Sequence, residues 1–208
     1  MMANLLIAGS EPLARRELKI TLADIGHTVV GEAASGEQAL FLARSLRPDA
    51  VLLDILLSQG SSGGGGGDAL VTARALSGER LGAVLVLGGP EAPPAMIRRA
   101  GEAGVLAFLR RPLLREQLEP AIPIAVTRFR EIVALEAEVR GLTERMEARK
   151  QVGRAKAILM EQHGLSEREA FKRIQTQSQT LNKPTDEIAR AIITASEVAP
   201  GAEGAMAQ

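Results

Sequence analysis

Ala50-Val51-Leu52-Leu53-Asp54 is the stretch on which the fold turns: four apolar residues in a row closed by a carboxylate, with Pro48-Asp49 just before it. A strand with one wet face alternates apolar and polar side chains, so an unbroken apolar run reads as a strand buried on both faces. Upstream, Leu5-Leu6-Ile7-Ala8 has the same character. Pro12 then opens a helical pattern carrying Leu13, Leu18, Leu22 and Ile25, which Gly26 ends. Thr28 to Glu32 is a second strand. Ser35-Gly36-Glu37-Gln38 follows as a capping box, and Leu40, Ala43 and Leu46 carry its helix as far as Pro48. Downstream, a strand over Ala83 to Leu87 precedes a helix over Pro93 to Ala103, and a strand over Val105 to Leu109 precedes a helix starting near Leu113. Five such alternations predict a doubly wound α/β domain, a parallel five-stranded sheet covered by helices on both faces, over about residues 1–124.

The whole chain of 208 residues has room for that domain and a smaller partner. Its 46% apolar and 24% charged residues are the balance of a globular protein. No apolar run approaches the length of a membrane helix, and Met1 to Ala8 lacks the pattern of a signal peptide, so a cytoplasmic location is expected, with no membrane partner. The absence of Cys excludes disulfides, thiolate metal sites and cysteine nucleophiles. The net charge of zero conceals an asymmetry. Met1 to Ala148 holds 16 Lys and Arg against 18 Asp and Glu, a net of −2, whereas Arg149 to Thr194 holds 9 against 5, a net of +4. A mildly acidic module is thus joined to a mildly basic, anion-facing one.

Beyond Pro123 the texture changes. Ile132, Leu135, Val139, Leu142 and Met146 recur at 3,4,3,4 spacing among Glu and Arg, a short heptad seam. It is either a solvated single helix or, as the regular stripe favours, the seam of a homodimer formed with a second, parallel copy. Residues 125–150 are therefore read as a coiled-coil linker helix. Val152, Ala155, Ile158 and Leu159 extend it to His163-Gly164. Ser166-Glu167-Arg168-Glu169 caps a helix with Ala170, Phe171, Ile174 and Leu181 on its apolar face, Phe171 being expected in the core. Asn182 and Pro184 close that helix, and Thr185 caps a last one with Ile188, Ile192 and Ile193 inward. Three helices over 151–196 make the second domain, and 197–208 are expected to be a flexible tail.

Few residues offer chemistry. Asp54 stands at the carboxyl end of a strand, where open parallel sheets bind ligands, although a carboxylate can also simply end a strand. The run Ser61-Ser62-Gly63-Gly64-Gly65-Gly66-Gly67 lacks the Lys and Ser or Thr of a phosphate loop and reads as a linker. His27 and His163 are isolated, so no metal site is expected. No nucleophile motif appears either, and the chain is not read as an enzyme.

The order of elements, with Asp54 after strand three, Pro48-Asp49 before it and Arg111-Pro112 after strand five, resembles a two-component receiver domain, a flavodoxin-like fold, over roughly residues 4–127. The resemblance implies Asp54 as a phosphoacceptor, served by an acidic pair that holds Mg²⁺, a hydroxyl residue after strand four and a Lys after strand five. Here the acidic pair falls on Gly9-Ser10 with Glu11 next door, the hydroxyl residue on Gly88 and the Lys on Arg111. Mg²⁺ needs oxygen ligands in near-octahedral array, so the reading is a degenerate receiver. Arg111 can replace the switch by a fixed salt bridge to Asp54, and Mg²⁺ would be wanted only were Asp54 phosphorylated.

The stretch Arg154-Ala155-Lys156-Ala157-Ile158-Leu159-Met160-Glu161-Gln162-His163-Gly164-Leu165-Ser166-Glu167-Arg168-Glu169-Ala170-Phe171, with Asn182 and Glu187-Ile188-Ala189, resembles an ANTAR domain, the three-helix RNA-binding module of transcription antitermination regulators. It departs from that family at Ala157, which stands where Gly is common, and at Gln175 to Gln179, which replaces a more basic stretch. The resemblance implies binding to paired stem-loops in nascent leader RNA, so that a terminator hairpin does not form. Arg154, Lys156, Lys172, Arg173 and Lys183 are the candidates for phosphate contact, each of which could equally be a solvated charge. The receiver would then answer to a sensor protein, a histidine kinase or dimerisation. Two other readings stay open: a DNA-binding response regulator phosphorylated at Asp54, and a dimeric adaptor that binds no nucleic acid.

Overall fold

The computed structural model describes residues 2–57 and 67–198. The glycine-rich run at 61–66 and the tail from 199 onward lie outside them. The chain forms two compact units, Met1–Leu135 and Glu136–Gln208.

The first unit is the doubly wound domain. Strands β1 (Asn4–Ala8), β2 (Thr28–Ala33), β3 (Ala50–Asp54), β4 (Ala83–Gly88) and β5 (Ala107–Arg110) form one sheet in the order β2-β1-β3-β4-β5, and every neighbouring pair is parallel. Helices α1 (Pro12–Asp24), α2 (Gly36–Leu46), α3 (Gly67–Gly78), α4 (Pro94–Glu102) and the start of α5 (Arg115–His163) connect and cover the strands. Alternation along β3 explains its composition. Val51 and Leu53 enter a core with α2 and α3, while Ala50 and Leu52 enter a second core with α1 and α5. With both faces covered, no position on the strand can be polar until Asp54 at its end.

Several boundaries differ from the sequence reading for local reasons. Strand β5 begins at Ala107 rather than Val105, because the Val105 amide is spent on the Ala100 carbonyl at the end of α4, where Gly104 takes φ +82°. Ser35 caps α2 by accepting from the Gln38 amide, but the Gln38 side chain accepts from Ala34 at 2.8 Å, one residue outside the expected box. Leu13 is 68% exposed, on the far side of α1 from Leu18 and Leu22. Helix α3 carries no distinct periodic signal in the sequence.

Helix α5 runs unbroken for 49 residues through Pro120 and Pro123. Each proline removes one amide and crowds the carbonyl four residues back, which ordinarily breaks a helix. Here those carbonyls belong to exposed Glu116 and Glu119, where water can satisfy them, while Leu118, Ile122, Ala125 and Val126 hold the opposite face on the sheet.

The second unit comprises the latter part of α5, α6 (Glu167–Leu181) and α7 (Thr185–Val198). Its core is small: Ala155 and Leu159 from α5, Ala170 and Ile174 from α6, and Ile188, Ala189 and Ile193 from α7. Gly164 has φ +64°, which lets the chain leave α5, and Ser166 with Glu169 forms a complete capping box on α6. The carbonyl of Pro184 accepts from Glu187 and Ile188, so Thr185 lies inside α7 rather than capping it. Two expected core residues are outside: Leu181 is exposed, and Phe171 is 43% exposed.

Candidate functional site

Strand order reverses direction between β1 and β3, so the loops leaving these strands diverge and leave a crevice at their carboxyl ends. The register pairs Ala8 with Leu53, which sets Gly9 beside Asp54. Asp54 is buried at 8% exposure, and both carboxylate oxygens are engaged. Oδ1 accepts from the Leu56 amide at 3.0 Å, and Oδ2 accepts from Arg111 Nη2 at 2.5 Å. Arg111 is brought there by β5, and its amide donates to the Gly88 carbonyl at 2.9 Å. A charged hydrogen bond of this kind, largely withdrawn from water, holds the pair firmly.

The other positions complete a closed arrangement. A Cβ on Gly9 would lie 3.4 Å from Asp54 Cβ. Arg15, from the first turns of α1, reaches over it: its Nη1 donates to the Gly9 carbonyl at 2.5 Å and its Nε lies 3.6 Å from Glu32 Oε2. The Glu32 carboxyl is held below its ordinary range, first by the hydrogen bond from Lys19 and then also by Arg15. A Cβ on Gly88 would come 2.3 Å from Phe108 Cζ, so the Phe108 ring fills the space a hydroxyl side chain would use. Glu11 lines the crevice, whereas Ser10 is exposed and does not. What remains is about 10 Å³, room for roughly one water. Asp54 is already bonded to a guanidinium with a second one close by, and exposed Glu11 is, among the described residues, the one other carboxylate lining the crevice, so this is not a donor set for Mg²⁺. The residues do not fit the metal. Arg15 carries no distinguishing signal in the sequence, because its partners Gly9 and Glu32 meet it only through the fold.

In the second unit the five candidate cations are not gathered into one patch. Arg154 on α5 pairs with Glu197 on α7 at 2.8 Å, and Lys156 pairs with Glu167 on α6 at 2.5 Å, which lowers the Glu167 carboxyl. Lys183, just before α7, pairs with Glu187 on it. Lys172 and Arg173 are exposed on α6, where with Glu169, Thr176 and Gln177 they line an open groove, and among the described residues they make no ion pair. Glu197, assigned to the tail by sequence, thus belongs to the folded unit. On α5, Ile132 is half-buried, and Leu135, Val139, Leu142 and Met146 are 51–75% exposed, so among the described residues the stripe has no cover.

The comparisons with known proteins agree with this division. The ANTAR domain family matches residues 140–193. The transcriptional regulatory protein PdtaR of Mycobacterium tuberculosis is 40% identical over 172 residues, covering 83% of this chain and 80% of that protein. The positive alginate biosynthesis regulatory protein of Pseudomonas aeruginosa is 35% identical over 130 residues, 57% of this chain and 45% of that protein. Among solved structures, the signal receiver domain of a modulated diguanylate cyclase from Desulfovibrio desulfuricans aligns with a TM-score of 0.55 at 26% identity, covering 62% of this chain and 98% of that one. The receiver domain of the response regulator NarL from M. tuberculosis aligns with a TM-score of 0.53 at 25% identity, covering 61% and 97%. No helix among the described residues is long and apolar enough to cross a membrane. A receiver fold, a long helix and an ANTAR domain in that order, matched along most of a known regulator, place this chain in the family of ANTAR-domain response regulators.

Proposed function

We propose that the protein is an RNA-binding transcription antitermination regulator of the cytoplasm whose receiver domain is not switched by phosphorylation. The observation that carries the second half is the bond from Arg111 to Asp54 Oδ2: the oxygen that would attack a phosphoryl group is held by a cation that cannot lose its proton. Charge developing on a transferring phosphoryl group also lacks its usual metal stabiliser. Acetyl phosphate with Mg²⁺ is therefore expected to leave the mobility of the protein unchanged; a shift that Asp54→Ala abolishes overturns this.

The first half rests on the ANTAR match over 140–193 and on the net positive charge of that region. Lys172 and Arg173 stand ready for phosphate contact. Arg154, Lys156 and Lys183 have only exposed carboxylates to give up, exchanges that cost little in water. Control then falls to a protein partner, a sensor, or to a second copy docked along Leu135, Val139 and Leu142. Leu135→Asp with Leu142→Asp should sediment as a monomer and retain its helical content, whereas a persisting dimer puts the interface elsewhere. The decisive experiment is to crosslink the protein in its cells and sequence the bound nucleic acid. Leader RNAs with paired hairpins ahead of terminators are expected; duplex DNA would favour the DNA-binding reading, and nothing bound an adaptor.

A further inference from the structure

Phe171 is the only Phe, Tyr or Trp after Phe129, and it is not spent on the core. It lies at the edge of the buried stripe formed by Ala170 and Ile174, 43% exposed, beside three other exposed side chains. Arg168 is one turn before it on α6, Gln175 one turn after it, and Lys172 adjacent; neighbours three and four apart on a helix share a face. Arg168 and Lys172 carry no ion pair among the described residues. The two carboxylates of this first turn are occupied, Glu167 by Lys156 and Glu169 by the amide and hydroxyl of Ser166. The ring therefore shares its face with the free cation of Arg168 and the carboxamide of Gln175, Lys172 stands on the neighbouring face, and the nearby negative charge is already compensated.

We infer that Phe171 is the stacking platform for one unpaired base of an RNA hairpin loop, with Arg168 and Lys172 on the flanking phosphates and Gln175 at the base edge; this rests on the RNA-binding reading above. Sequence-specific RNA recognition targets unstacked loop bases, which rest on an aromatic face and are read along their edges by donor and acceptor groups. A carboxamide supplies both. The run Gln175 to Gln179, which departs from the family's more basic pattern, acquires a use here: Phe171, Gln175 and Gln179 form one row along α6 at intervals of four.

The test uses the full chain and a pool of RNA hairpins with one fixed stem and a randomised loop. Wild-type protein should enrich a loop sequence. Against that hairpin Phe171→Ala should bind about tenfold more weakly, within the range one stacked base contributes, with an unchanged slope of affinity against salt. Lys172→Ala should instead reduce the slope by about one. Phe171→Tyr should bind like wild type, and Phe171→Leu, which keeps apolar bulk without a π face, should bind like Phe171→Ala. Wild-type affinity in Phe171→Leu or Phe171→Ala, with far-ultraviolet dichroism confirming the fold, overturns the stacking role alone. If the wild-type chain enriches no hairpin, the RNA reading falls, and this inference with it.

Discussion

Asp54 in the first unit and Glu167 in the second each meet a cation at 2.5 Å, yet their settings are opposite. The Asp54 side chain is 12% exposed and has its second oxygen bonded to the backbone, whereas that of Glu167 is 70% exposed. The first pair closes a crevice: Arg111 holds Asp54 from the place of a receiver's Lys, Arg15 bonds Gly9 where the acidic pair would stand, and the Phe108 ring takes the room of the hydroxyl residue. The second has its cation partly covered, Lys156 being 23% exposed, but its carboxylate faces water, where an ion pair contributes little. Geometry alone therefore does not tell a fixed charge from an available one. Burial does, and it separates a carboxylate closed in among its partners from one that stays open to water.

The largest expected effect comes from forcing the first unit back toward a switching receiver. Gly88→Thr drives a Cβ into the Phe108 ring and should cost about 3 kcal/mol, as overpacking in a filled core does. Urea unfolding followed by probes in each unit should show the loss in the first unit alone. Phe108→Ala added to Gly88→Thr should cost less than the two single losses together, because the ring that clashes is gone; strictly additive losses would deny that the ring is the obstacle. Next, Arg111→Ala strands a buried carboxylate and should cost about 2 kcal/mol. Lys156→Met, which keeps the covered stem, frees only exposed Glu167 and should change stability far less. Equal losses would dissolve the contrast between the two pairs.

The layout of the fold was legible because it is written in local patterns: apolar strand runs, caps at Ser35 and Ser166, and glycines at helix ends. The parts that escaped depend on partners far apart in sequence. Arg15 takes its meaning from Gly9 and Glu32, and Phe108 from Gly88, none of which periodicity brings together. Phe171 shows the same limit in reverse. Helical spacing placed it on the apolar face, but α5 and α7 bury only the stripe through Ala170 and Ile174, and a residue turned some way from that stripe stays half in water. The prolines of α5 mislead for a related reason, since what a proline costs depends on whether the carbonyl it frees faces solvent.

Capping and titration also divide the units. Ser166→Ala removes the hydroxyl that caps α6 and should cost about 1 kcal/mol, confined to the second unit. The smallest expected effect is a pH dependence that differs between the units. In the first unit His27 is buried, and its Nδ1 accepts from the Ala3 amide at 3.2 Å, which requires the neutral ring at that nitrogen; burial holds its pKa below the ordinary 6.5. The unfolded chain therefore takes up a proton that the folded one refuses. Stability present above pH 6.5 is lost as pH falls from there toward the lowered value. In the second unit Glu167 and Glu169 are held below their ordinary 4.5, by Lys156 and by Ser166 respectively, so their contribution is intact down to pH 4.5 and is lost only as pH falls further. Between pH 6.5 and 4.5 the His27 contribution should therefore decline while those of Glu167 and Glu169 hold, and His27→Gln should flatten the first unit's profile in that window. An unaltered slope in His27→Gln would assign the titration to another group and remove the histidine from the account.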